Sequence, residues 1–157
     1  MPQNYLEAVR QFDQKVNPLF AFLRVRLTFA EQGKASIVMP IGPHLRQGGG
    51  QVAGGLLATL ADECMAHAVL SLFASHQPIA TAEMNIRYLR AADPDKEGDI
   101  IAEADVVKKG RKLVVASASV RDSSDRLLAT AGGTFYVHSG DSAYSKQPTR
   151  SKALTVS

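Results

Sequence analysis

The chain has 157 residues, with 18 Lys and Arg against 15 Asp and Glu, a formal charge of +3 and a sequence pI near 9.1. Hydrophobic residues make up 45% and charged residues 21%, the balance of a globular domain that buries its core without disulfides or metals. One cysteine, Cys64, excludes an internal disulfide scaffold, and 6% aromatics with no Trp argue against a base-stacking nucleic-acid platform.

The first residues carry no apolar stretch of the secretory kind, so a cytoplasmic location is expected. Leu6, Val9, Phe12 and Val16 recur at helical spacing, with Asn4 and Glu7 in capping-box positions, which predicts a helix over about 4–16. Leu23, Val25, Leu27 and Phe29 alternate with Arg24, Arg26 and Thr28, the period of a half-buried strand. Gln32-Gly33-Lys34 turns the chain, and Ala35, Ile37 and Met39 continue as a second strand. Pro40 to Gly50 reads as a loop. From Gly54 to about Ser75 the spacing of Leu57, Leu60, Ala61, Cys64, Ala68 and Leu72 is helical. That helix is apolar almost all round and therefore expected to be buried; Asp62, Glu63 and His67 make it a poor membrane span. Four strands follow, over 79–90, from Gly98, through Val114 to Val120, and over 126–138. Lys109-Gly110-Arg111 and Ser123-Ser124-Asp125 are the turns between the last three. Residues 139–157 are rich in Ser, Thr and Lys without apolar period, which predicts a disordered tail. The order is that of an α+β fold in which a curved antiparallel sheet, over residues 1–138, wraps one long helix.

Gln47 to Asp62 is the informative stretch. Its glycines run into a helix start, where N–H groups without partners suit an anion or oxyanion. A phosphate loop is excluded because Leu56-Leu57 stands where Lys-Ser/Thr is needed, and the dinucleotide fingerprint fails at Ala53. Asp62 sits inside the apolar helix, where a carboxylate is costly unless paired or catalytic, and burial would raise its pKa. Glu63 and His67 are four apart and read as a surface pair. Cys64 reads as a small buried apolar residue. The four scattered histidines offer no metal motif, so no metal is expected.

The segment Gly54-Gly55-Leu56-Leu57-Ala58-Thr59-Leu60-Ala61-Asp62 resembles the signature of hotdog-fold acyl-CoA thioesterases of the PaaI-like, phenylacetate-degradation group. Thr81–Arg90, Val107–Leu113 and Leu128–Phe135 resemble that family's later segments in the same order. The resemblance implies a hotdog fold and a homodimer or dimer of dimers that hydrolyses acyl-CoA, with coenzyme A as part of the substrate and no separate cofactor. It implies that Asp62 activates water or attacks the thioester. The Gly54 N–H then stabilises the oxyanion, the Gln47 amide places the thioester or water, and the Thr81 hydroxyl assists. Gly55, Arg90, Lys109, Gly110 and Arg111 become candidate contacts for the coenzyme. Many family members carry His-Gly-Gly at the helix entrance, whereas this chain has Ala53-Gly54-Gly55.

On those roles, Gly54 and Asp62 are about 12 Å apart along one helix, too far to serve one thioester, so the site is expected at a subunit interface. A non-catalytic acyl-CoA-binding protein and an acyl-CoA dehydratase are the alternatives on the same fold. Nucleic acid is not expected as a partner. The tail carries Lys146, Arg150 and Lys152 against Asp141, a net +2, so residues 1–138 hold only +1.

Overall fold

The computed structural model describes residues 4–75 and 77–138. Six strands form one antiparallel sheet around one long helix. The strands are β1 (Arg26–Glu31), β2 (Lys34–Pro40), β3 (Ile79–Tyr88), β4 (Asp99–Lys109), β5 (Leu113–Asp122) and β6 (Leu127–Val137), and their spatial order is β1-β2-β4-β5-β6-β3. The helix, α3 (Gly54–Leu70), packs against all six. This is the hotdog arrangement.

The packing follows from residue size. Leu57, Leu60, Ala61, Cys64, Met65, Ala68 and Val69 of α3 are buried. Facing them are small residues, Ala102 and Ala104 on β4 and Ala116 and Ala118 on β5. Alanines let the helix axis lie close to the sheet, and Ile37, Met39, Ile100, Val114 and Leu128 fill the remaining space. The Cys64 thiol donates to the Ala35 and Ala102 carbonyls at 3.4 and 3.3 Å, and burial pushes its pKa up to about 12, so it is an inert core group.

The N-terminal segment departs from expectation. The single helix predicted over about 4–16 is instead α1 (Tyr5–Val9), and the Asn4 side chain makes no capping bond. Phe12, expected on its apolar face, is 96% exposed. A second helix, α2 (Pro18–Leu23), follows. Asn17 caps it by accepting from the Phe20 N–H at 3.1 Å, Pro18 opens it, and Arg24 closes it at φ 56°. Leu23 and Arg24 thus belong to a helix end rather than to the first strand. In β1 the register shifts between Leu27 and Phe29, which turns Phe29 outward. α3 ends at Leu70, so Leu72 lies beyond it. The expected tail from Ser139 lies outside the described residues. Among the described residues no helix is long and apolar enough to cross a membrane.

β3 is an edge strand. Among the described residues it pairs with β6 alone, on one side, and most of its residues are exposed.

Candidate active site

The loop before α3 is held at several points. The Ala53 N–H donates to the Leu45 carbonyl, the Val52 N–H to Ala92, and Arg46 pairs with Asp95. Within it, the Gln47 side-chain oxygen accepts from the Gly49 N–H. Gly50 adopts φ 90°, a conformation that favours glycine.

α3 begins at Gly54 with Ala53 as its N-cap, and no side chain caps it. The Leu56 N–H turns back to the Ala53 carbonyl at 3.0 Å, and no side-chain oxygen takes the N–H groups of Gly54 and Gly55. The Tyr88 hydroxyl donates to the Gly54 carbonyl at 3.0 Å, and a Cβ on Gly54 would come within 3.3 Å of the Tyr88 ring. A Cβ on Gly55 would meet nothing within 4 Å, so the space beside the helix entrance is open.

Two turns further on, the Thr81 hydroxyl donates to an Asp62 carboxylate oxygen at 2.8 Å. The structure thus joins two predicted residues, Asp62 and Thr81, through the adjacency of α3 and β3. It leaves Gly54 and Gln47 at the other end of the helix. Arg90 follows the C-terminal end of β3, near the helix entrance. Lys109, Gly110 and Arg111 form the β4–β5 hairpin at the opposite end, where the Lys109 ammonium stands 4.9 Å over the Phe73 ring. A Cβ on Gly110 would lie 2.4 Å from the Leu113 carbonyl, so that turn admits only glycine.

The residues behind Asp62 correct the expected surface pair. His67 is only 2% exposed, stacked on Phe20 at 5.0 Å between ring centroids. Its Nδ1 lies 2.6 Å from the Glu63 carbonyl oxygen, which can only accept, so Nδ1 carries the proton. Nε2 then accepts from the Tyr5 hydroxyl at 3.1 Å, and Asn17 donates to the Tyr5 oxygen at 3.0 Å. Burial lowers the His67 pKa to about 4. It also raises that of Glu63 to about 7, with the Asp62 charge adding to the effect. Among the described residues no cluster of three His, Cys, Asp or Glu could hold a metal ion.

A long helix clasped by a six-stranded antiparallel sheet defines a hotdog protein. The chain belongs to the thioesterase superfamily, whose profile matches residues 49–129. A protein of Halobacterium salinarum, provisionally named an esterase, is 35% identical over 136 residues, spanning 78% of this chain and 86% of that one. A conserved protein of Pseudomonas aeruginosa has a solved structure 31% identical, with a TM-score of 0.70 over 78% of this chain and 95% of that one. The fold is also that of the Escherichia coli PaaI protein from the phenylacetic acid degradation operon. That structure has a TM-score of 0.72 and 19% identity, and covers 80% of this chain and 87% of that one.

Sequence reasoning missed Tyr88 as a partner of the helix entrance and the Tyr5–His67 contact. Tyr88 was visible as the last apolar residue of its strand. The His67 environment is set by residues 62 positions away and had no local signal.

Proposed function

We propose that this chain is an acyl-CoA thioesterase whose active site is shared between two copies of it. The observation that carries the proposal is the hydroxyl-bonded carboxylate of Asp62 together with an uncapped helix entrance at Gly54, about 12 Å away along the same helix. Pairing β3 antiparallel with the β3 of a second copy, centred on Asn85, resolves that separation. It sets the Thr81 end of one strand against the Tyr88 end of the other. Asp62 of one copy then faces the Gly54 entrance of its partner. The same pairing brings Arg90 of one copy to the end of the sheet that holds Lys109 and Arg111 of the other, a basic cluster suited to the coenzyme's phosphates.

The chemistry follows. The Gly54 N–H and the helix dipole stabilise the negative charge that develops on the thioester oxygen. The Gln47 amide orients the thioester or water. As general base, Asp62 takes a proton from water while the water oxygen attacks the carbonyl carbon. The C–S bond breaks, and the coenzyme thiolate regains the proton from Asp62. As nucleophile, Asp62 attacks the carbonyl carbon and the C–S bond breaks, giving an acyl anhydride and the coenzyme thiolate; water then cleaves the anhydride, which frees the Asp62 carboxylate and the acid and leaves a proton for the thiolate. Thr81 fixes the carboxylate in either route.

The test is Asp62→Asn in the full chain, assayed for thiol release across an acyl-CoA panel. The expected loss is about 10²-fold or more in kcat, with an unchanged melting temperature. Equal turnover by the variant would overturn the role of Asp62. Ala53 at the helix entrance favours a second reading, an acyl-CoA-binding protein without turnover, which predicts thermal stabilisation by acyl-CoA and no thiol release.

A further inference from the structure

The cavity that opens beside Asp62 and Thr81 runs away from the glycine loop. It measures about 360 Å³ and is walled by Val16, Pro18, Ala66 and Leu70, among others. We infer that this cavity takes the acyl group of the substrate, and that the N-terminal segment before β1 sets the acyl length the protein accepts. The inference rests on the thioesterase reading above.

Three observations carry it. First, the carboxylate and hydroxyl line the same cavity as the apolar walls. A carbonyl carbon placed for attack by Asp62 therefore has its acyl chain at the mouth of that cavity. Second, the polar groups of Asn17, Tyr5 and His67 in its lining are already occupied. Asn17 donates to Tyr5 and accepts from Phe20, Tyr5 donates to His67, and His67 donates to the Glu63 carbonyl. They offer little to a polar acyl group, and among the described residues no Lys or Arg lines the cavity to pair with an acyl group that ends in a carboxylate. The fitting class is a neutral, apolar acyl group. Third, Val16 and Pro18 lie outside residues 49–129, the span that the superfamily's profile matches, so this wall is drawn from residues the profile does not fix.

A second cavity of about 230 Å³ lies under α1, lined by Leu6 and Phe73 among others, and shares Tyr5 and Leu70 with the first. Tyr5 and Leu70 are therefore the partition at which the acyl pocket ends.

The experiment compares wild type, Ala66→Phe and Leu70→Ala as full chains, by kcat/KM on acetyl-, butyryl-, octanoyl-, lauroyl- and palmitoyl-CoA. Ala66→Phe fills the pocket. It should lower octanoyl and longer substrates by about tenfold or more relative to acetyl-CoA, since each methylene denied burial is worth about fourfold. Leu70→Ala opens the partition and should move the optimum to longer chains. A uniform change across the panel in both variants would overturn the inference. If Ala66→Phe does not fold by thermal melt, Val16→Phe fills the same space from the other wall and carries the same expectation. Non-hydrolysable thioether analogues of the same panel, titrated calorimetrically, separate this inference from the thioesterase reading. Chain-length-dependent binding that Ala66→Phe abolishes, without turnover by wild type, upholds the pocket and overturns hydrolysis. Chain-length-independent binding overturns the pocket, and no binding of any analogue overturns both.

Discussion

Replacing Glu63 with Gln should make stability depend on pH where the wild-type pair makes it flat. The Glu63 carboxyl lies 3.9 Å from His67 Nδ1. Burial raises the carboxyl from 4.5 to about 7 and lowers the imidazole from 6.5 to about 4. The raised carboxyl contributes stability that is present below its unfolded value and lost as pH rises towards about 7. The depressed imidazole contributes stability that is present above its unfolded value and lost as pH falls towards about 4. Between those limits the unfolded chain holds one proton on His67 and the folded chain holds one on Glu63. Folding transfers a proton from ring to carboxyl with no net uptake, so the two slopes cancel. Glu63→Gln removes one slope and leaves the other. The stability of the variant relative to wild type should then rise by about 1.4 kcal/mol per pH unit between about pH 4.5 and 6.5. Over that range the total is about 3 kcal/mol, or roughly 5–10 °C in melting temperature for a chain of this size. Urea or thermal melts at fixed protein concentration and ionic strength measure it. Background carboxylates cancel in the difference between the two proteins. Parallel pH profiles for variant and wild type would refute the reasoning.

Two further outcomes follow from the site. Tyr88→Phe deletes the hydroxyl that donates to the Gly54 carbonyl, and should lower kcat/KM several-fold, about the worth of one hydrogen bond, with the melting temperature nearly unchanged. Asn85→Lys sets like charges against each other at the centre of the proposed β3 pairing. It should shift sedimentation towards monomer and reduce turnover in step with the loss of dimer.

The strands β2, β4, β5 and β6 were legible because strict alternation and glycine- or serine-marked turns agreed, as in Ile100-Ala102-Ala104 before Gly110. The long helix was legible because its apolar positions ran all round it. The N-terminal segment was misread although its signal was present. Asn17-Pro18 is a cap followed by a proline in the first turn, and the alternation from Leu23 to Phe29 hid it. Asp62 was singled out by its place in an apolar helix, its role and Thr81 came from family resemblance, and the geometry brings the two into contact. Glu63 and His67 were misjudged for a different reason. Helical spacing shows that they share a face, but the residues that bury that face, Tyr5 and Phe20, come from another part of the chain. No local pattern carries that information.

The uncapped start of α3 has a consequence for how this chain can be improved. A Ser or Asp at position 53 would cap the helix and add about 1 kcal/mol of stability. Its oxygen would accept from the Gly55 or Leu56 N–H, beside the Gly54 N–H that the proposed chemistry uses. An Asp there would set its charge against the oxyanion the site must hold, so selection for robustness and selection for turnover pull on residue 53 in opposite directions.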